Sequence, residues 1–297
     1  MDLQQTIRNV AASLSDTSAQ ERVAGVAGRP LPSVEAIAEM MRLVRRVLLP
    51  GFFDEELVCN PSRMFHIGVD LERISTLLSR QIALSFDDRP GMEAGKRRGY
   101  DLASGLISLF PEIRRVLLTD VEAIVGNDPA VGSAAEVVHS YPGVQVMIHH
   151  RVAHALYRLG VPVLPRIIAE QAHSATGIDI HPAARIGEYF GIDHGTGIVI
   201  GATTVIGHHV MLYQGVTLGA RNFKRDEEGL PIDRPRHPIL EDHVVVYSGA
   251  SILGRVTIGH DSVIGGNVWL THDVPPYSRV LQSAHRSLPS FADGAGI

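Results

Sequence analysis

Apolar residues recur at intervals of three and four along the first 175 residues, the spacing expected of amphipathic helices. Ser33 is a suitable N-cap for the first such segment, and Pro50 ends it. Further helices are predicted at residues 67–82, 100–110, 112–125, 144–159 and 164–173. Residues 1–32 are small and polar, so we expect a poorly ordered lead-in to an all-helical assembly domain at 33–175.

From residue 176 the interval between aliphatic residues changes to six. The repeated positions are Ile180, Ile186, Ile192 and Ile198, then Ile200, Ile206, Leu212 and Leu218, and finally Leu240, Val246, Ile252, Ile258, Ile264 and Leu270. The phase slips by two residues at Ile200, and a charged stretch at 221–239 interrupts it. An interval of six fits neither an α-helix nor a flat strand.

This interval predicts a parallel β-helix, in which the chain winds as a triangular prism. Each hexapeptide forms one face, with its aliphatic residue inside and a small residue at the corner. Coils stack about 4.8 Å apart and bury their aliphatic residues against each other. The sequence therefore predicts a helical domain followed by a β-solenoid at 176–276, with a loop excursion at 221–239 and a C-terminal tail at 277–297.

Composition narrows the class of protein. A net charge of −5 argues against nucleic acid as a partner. Cys59 is the one cysteine of the chain, so it can form no intrachain disulfide and no cysteine pair for a metal. The N-terminus lacks a signal-peptide pattern, and no run of about 18 apolar residues could span a membrane. We expect a cytoplasmic protein without a membrane partner.

Prisms of this kind resemble the hexapeptide-repeat acyltransferases. That resemblance implies left-handed coils and trimers, with acyl-CoA in the groove between neighbouring prisms. Acyl transfer to an alcohol needs a general base, and a histidine oriented by a carboxylate suits the task. Asp179 and His194 stand 15 residues apart, slightly less than one turn of three hexapeptides, so stacking of the coils should bring them close.

Four motifs carry a closer resemblance. The segments DIHPAA, DHGTG, VTLG and RHP occur in the order found in the serine acetyltransferase family, and the similarity covers about residues 100–275. It implies acetyl transfer from acetyl-CoA to L-serine, giving O-acetylserine in the first step of cysteine biosynthesis. No permanently bound cofactor and no metal are implied. The resemblance also implies feedback inhibition by L-cysteine, and a hexamer in which two trimers join through the helical domain.

The resemblance assigns roles residue by residue. His194 is the general base, Asp179 pairs with it and His237 lines the same pocket. Asp128 and Asp193 bind the substrate, and Arg236 grips its carboxylate. Each position also has a plain structural interpretation, because the aspartates could be turn residues or a helix stop and His194 a corner histidine with its hydrogen bonds satisfied.

The later coils and the tail complete the predicted contacts. Small residues would let the pantetheine arm of acetyl-CoA approach the backbone. They are Gly219, Ser248, Gly249, Ala250, Gly265 and Gly266. The charged loop is expected to fold over the groove, although it departs from the commonest family form. The terminal Ile297 resembles the segment that binds O-acetylserine sulfhydrylase in the family; a frayed end is the alternative.

Three other functions remain open on the sequence. One is acetyl transfer to a different hydroxy amino acid or to a sugar, and another is a scaffold without activity. The third is a zinc lyase built on the same prism, which needs three converging histidines. Its candidate ligands are His208, His209, His237, His243 and His260.

Overall fold

The computed structural model describes residues 2–18, 30–53, 60–86, 92–222, 228 and 234–282. Within these residues the chain forms eight helices. They are α1 (Leu3–Leu14), α2 (Val34–Leu48), α3 (Asn60–Ser85), α4 (Met92–Ser108), α5 (Phe110–Asn127), α6 (Ala134–Ser140), α7 (Pro142–Arg158) and α8 (Leu164–Thr176). In this described part of the chain, no helix is both long and apolar enough to cross a membrane.

The helical domain confirms the predicted elements and adds two. Ser33 caps α2, since its side chain accepts a hydrogen bond from the Ala36 amide, and the apolar face of α2 is buried. Neither α1 nor α6 was predicted. Where a poorly ordered lead-in was expected, α1 forms an amphipathic helix that begins at Asp2 and buries no residue. Its four large apolar residues share one face, which the polar composition of the segment concealed; they are Leu3, Ile7, Val10 and Leu14.

Fourteen short strands follow and build a parallel β-solenoid. They are β1 (Asp179–Ile180), β2 (Arg185–Ile186), β3 (Gly191–Asp193), β4 (Val199–Ile200), β5 (Val205–Ile206), β6 (Met211–Tyr213), β7 (Thr217–Gly219), β8 (Ile239–Leu240), β9 (Val245–Val246), β10 (Ser251–Leu253), β11 (Thr257–Ile258), β12 (Val263–Ile264), β13 (Trp269–Leu270) and β14 (Arg279–Val280). All the pairs between strands are parallel, and the described strands form three sheets that give about five turns.

The three sheets are the faces of the prism. The first sheet has the order β1-β4-β7-β10-β13, the second β11-β8-β5-β2 and the third β14-β12-β9-β6-β3. The six-residue repeat is confirmed, because its residues in the strands point inward and all but the partly buried Ile186 are buried. β14 lies three residues beyond the predicted end of the solenoid. The tail from residue 283 onward, including Ile297, lies outside the described residues.

The two irregularities of the repeat have separate structural causes. In the first coil Asp179 pairs with Val199, whereas in the second Val199 pairs with Thr217, so the first coil holds two extra residues. These residues lie at the corner between β3 and β4. The charged loop leaves the solenoid after β7 and returns at β8, and Leu218 still pairs directly with Ile252. Residues 223–227 and 229–233 of this loop lie outside the described part.

A buried ion pair joins the helical domain to the first coil. Arg151 on α7 meets Asp120 on α5, with 2.9 Å between Nη2 and Oδ1. The same guanidinium donates to the carbonyls of Ile186 and Gly187 at 2.6 and 2.7 Å, and Asp120 accepts the Phe190 amide at 3.1 Å. Burial raises the pKa of Asp120 to about 6, against the opposing effect of the Arg151 charge. This joint fixes the helices against the coil that carries His194.

Candidate active site

His194 lies on the corner enlarged by the two extra residues. It adopts a left-handed backbone conformation with φ 55°, and Gly195 and Gly197 follow at 87° and 82°. A Cβ on Gly195 would lie 2.5 Å from Cδ1 of Ile178, so the turn requires glycine there. The turn holds the His194 side chain outward with 74% exposure, and its Nε2 lies 3.9 Å from Oδ1 of Asp193.

The helical domain brings a second carboxylate to this corner. Asp128 ends α5 and accepts hydrogen bonds from the Ala130 amide at 2.8 Å and the Tyr141 hydroxyl at 2.6 Å. The Tyr141 bond is the main cause of a lowered Asp128 pKa, and the nearby His194 contributes. The same bond raises the pKa of Tyr141 to about 12. Asp128 is thus both a helix stop and an ionised neighbour of His194, and these two with Tyr141 and Asp193 are the corner cluster.

A second group of residues lies where the chain leaves the first sheet. His237 is buried, and its Nδ1 accepts the Thr203 amide at 3.1 Å and lies 2.8 Å from the Thr203 hydroxyl. Burial is the main cause that lowers the pKa of His237 to about 4, and the charge of Arg236 adds to it. His237 is therefore neutral at pH 7 with its proton on Nε2, which makes it a hydrogen-bond donor. We name Thr203, Arg236 and His237, with His181 beside them, the face cluster.

Small residues make room for the face cluster. A Cβ on Gly201 would lie 2.0 Å from Cδ2 of His237, so the ring can occupy this position only above a glycine. Arg236 is held through its backbone, because its amide donates to the Thr203 hydroxyl at 2.9 Å. Asp179 lies on β1 close to His181, where its charge opposes the effect of burial on the His181 pKa. Burial prevails and lowers that pKa.

The structure shows no direct bond between the side chains of Asp179 and His194. Among the described residues, no hydrogen bond or ion pair within 4.0 Å joins the two side chains. The sequence argument assumed regular coils, whereas the first coil holds two extra residues at the corner that carries His194. Sequence analysis also missed Tyr141 and Thr203. Neither has a motif of its own, and each was recognisable only through its bond to Asp128 or His237.

The residues predicted to contact acetyl-CoA fall into three groups. Gly219 lies at the end of β7 on the first sheet, and Ser248 and Gly249 occupy the corner that leads into β10. Ala250 faces the core with no exposed surface, so a side-chain contact from it is excluded. Gly265 and Gly266 lie at the corresponding corner before β13. Ser248, Gly249, Gly265 and Gly266 lie on the same edge of the prism as His194. Along this edge the chain passes from the third sheet to the first, after β3, β9 and β12.

The other histidines considered as zinc ligands lie at other corners of the prism. His209 stacks between Tyr189 at 4.3 Å and His243 at 4.8 Å on the edge between the second and third sheets. His260 bonds to Asp261 at 2.8 Å. Across the residues that the structure describes, no three His, Cys, Asp or Glu side chains are grouped to hold a metal ion. A zinc lyase therefore has no ligand set within the described part of one chain.

No family model matches the chain, but known proteins do resemble it. The chain is 45% identical over 277 residues to the plasmid serine acetyltransferase of Synechococcus elongatus, covering 90% of this chain and 86% of the relative. The hexapeptide solenoid together with this relative shows an acyltransferase of the hexapeptide-repeat class. Within that class, the chain belongs to the serine acetyltransferase family.

Solved structures show the same likeness over most of the chain. Serine acetyltransferase isoform 3 of Entamoeba histolytica, solved with cysteine, superposes with a TM-score of 0.74 at 32% identity, covering 97% of this chain and 95% of that one. Soybean serine acetyltransferase, solved with serine, superposes with a TM-score of 0.56 at 28% identity, covering 86% and 99%. The helical domain followed by a β-solenoid is thus the architecture of the family.

Proposed function

We propose that this chain transfers the acetyl group of acetyl-CoA to the hydroxyl of L-serine, giving O-acetylserine and CoA. The observation that carries the proposal is the corner cluster, where an exposed His194 lies beside the carboxylates of Asp193 and Asp128. Relatives named serine acetyltransferase, one of them solved with serine, support the choice of substrate.

In this proposal His194 acts as the general base. Its ring nitrogen takes the serine hydroxyl proton while the oxygen attacks the thioester carbonyl. The tetrahedral intermediate collapses by breaking the carbon–sulfur bond, and the imidazolium returns the proton to the CoA sulfur. Asp179 is the proposed orienting carboxylate, as the family resemblance implies. The His194 side chain is exposed, and Asp179 lies on the first sheet, which follows the corner of His194.

The charged residues of the corner cluster and the face cluster could together bind an amino acid. Asp128 and Asp193 provide negative charge for the serine ammonium, and Arg236 provides a fork for its carboxylate. His237 cannot serve as a base while its Nδ1 accepts the Thr203 amide. We therefore assign its Nε2 proton to a hydrogen bond with the serine carboxylate or with the developing oxyanion.

The corner cluster and the face cluster flank the first sheet of one chain. The corner cluster lies where the chain enters β4, and Thr203 follows where the chain leaves it. Because no bond within the described residues joins the clusters, we propose that a complete site forms between the prisms of a homotrimer. The helical domain would then join two trimers.

Regulation and partners are proposed on the same basis. The Entamoeba histolytica relative is solved with cysteine, which supports inhibition of this chain by L-cysteine in the serine pocket. A role at the start of cysteine biosynthesis in the cytoplasm follows from the proposed reaction. Binding of O-acetylserine sulfhydrylase through Ile297 remains a prediction from the sequence.

A thiol-release assay tests the reaction and its acceptor together. Purified protein with acetyl-CoA is expected to release CoA with L-serine at a kcat/KM at least about tenfold above L-homoserine or L-threonine, since one misplaced methylene costs about 1–3 kcal/mol in a fitted pocket. Reactions without acceptor measure thioester hydrolysis. Equal rates with homoserine or threonine would overturn the assignment of serine, and a sugar that outperformed all three would establish the alternative acceptor.

A further inference from the structure

The outer face of the first sheet carries one column of residues from the first coil to the last. Strand register aligns Asp179, Val199, Thr217, Ser251 and Trp269 in that order. Leu270 occupies the inner side of β13 and is buried, so Trp269 points outward, and it is 71% exposed. The column thus begins at the proposed orienting carboxylate and ends at a large aromatic side chain.

Small side chains separate the two ends of this column. Thr217 and Ser251 lie between Val199 and Trp269, and Gly219 lies beside them at the end of β7. Four strand spacings separate Asp179 from Trp269, a distance of about 19 Å. This is comparable to the separation of the thiol and the adenine in an extended CoA molecule. A thioester at the Asp179 end of the column, with its arm extended along the sheet, would therefore place the adenine near β13.

We propose that Trp269 stacks on the adenine ring of acetyl-CoA, an inference that rests on the proposed function. Burial of the apolar face of an indole is favourable, and nucleobases stack readily on aromatic side chains. At the middle of the column the outer face presents the hydroxyls of Thr217 and Ser251, with Gly219 and Leu253 beside them. The short side chains of the column leave space for the thin pantetheine arm. Trp269 then binds the nucleotide part of acetyl-CoA.

Trp269 is the one tryptophan of the chain, so its fluorescence reports directly on this site. Titration of the full-length protein with CoA is expected to quench the emission saturably, and 3′,5′-adenosine diphosphate is expected to do the same. Pantetheine, which has the thiol arm without the nucleotide, should leave the emission unchanged. Equal quenching by pantetheine, or no quenching by CoA at saturation, would refute the stacking.

Kinetics of variants supply a second readout. Trp269→Ala is expected to raise KM for acetyl-CoA about tenfold and Trp269→Phe about threefold, with kcat and KM for serine unchanged. Tyr277→Ala is a matched control, because Tyr277 is 75% exposed but lies on another edge of the prism, and it should leave both KM values unchanged.

The outcomes separate this inference from the proposed function. If wild-type protein releases no thiol with serine, the proposed function fails, whatever the fluorescence shows. If wild-type protein is active and Trp269→Ala has the wild-type KM for acetyl-CoA, the stacking is refuted and the proposed function stands. A blue-shifted emission that resists acrylamide in the assembled protein, and a loss of assembly in Trp269→Ala, would show that a second copy of the chain covers Trp269 instead.

Discussion

Replacing His194 by asparagine is expected to lower kcat at least about a hundredfold, because removal of a positioned general base costs about 10²–10⁴ in rate. Asparagine is chosen because it tolerates the left-handed conformation that His194 adopts. The side chain is 74% exposed, so its loss should not disturb packing. The measurement is thiol release from acetyl-CoA at saturating serine, with the oligomeric state recorded by light scattering.

His209→Asn is the control for this variant. His209 is also an exposed corner histidine with φ 57°, but it stacks on Tyr189 and His243, away from both clusters. Its kcat should stay within about twofold of the wild type, since it touches no group assigned to the reaction. Ordinary turnover by His194→Asn, or an equal loss in His209→Asn, would remove His194 from the role of base.

Replacing Asp120 by alanine is expected to destabilise the protein by about 3–5 kcal/mol, the usual cost of leaving one member of a buried ion pair unpartnered. Arg151 would keep its two carbonyl bonds but lose both bonds to the carboxylate. The Phe190 amide would lose its acceptor as well. Thermal unfolding followed by circular dichroism at pH 7.5 checks the loss. At this pH Asp120 is ionised, because its pKa is about 6.

Glu112→Ala is the control that tests whether burial of the ion pair causes the destabilisation expected of Asp120→Ala. Glu112 also pairs with an arginine, Arg115, at 2.7 Å, but on the exposed surface of α5. Solvent screens such pairs, so its loss should change the melting temperature far less than Asp120→Ala does. Equal shifts for the two variants would contradict the view that the Asp120–Arg151 joint holds the helices against the first coil.

Much of the fold followed from the sequence because burial in a solenoid repeats with a fixed interval. Aliphatic residues at steps of six fit neither a helix nor a flat strand, whereas a solenoid can bury all of them. Each coil packs against its neighbours, so every further repeat supports the same fold. Helix α2 was equally clear, since a serine cap and an apolar stripe agree. Helix α1 was missed because the polar composition of its segment concealed the apolar stripe, and α6 because seven residues give too short a pattern.

The site was predicted less completely than the fold. The two-residue slip in the repeat was visible in the sequence. The sequence did not show that this slip enlarges the corner that carries His194. A pairing of Asp179 with His194 was inferred from average coil length, whereas the first coil is two residues longer than the next, and the pairing stays a prediction. Tyr141 and Thr203 depend on bonds between segments that are distant in sequence, which no local pattern encodes.

A structure of the protein with L-serine bound tests the central claim most directly. The account predicts the serine hydroxyl within about 3.2 Å of a ring nitrogen of His194, the distance that proton transfer requires. The serine carboxylate should meet the Arg236 guanidinium, contributed by the same or a neighbouring copy of the chain. Serine bound away from the corner cluster, with its hydroxyl out of reach of His194, would contradict the account.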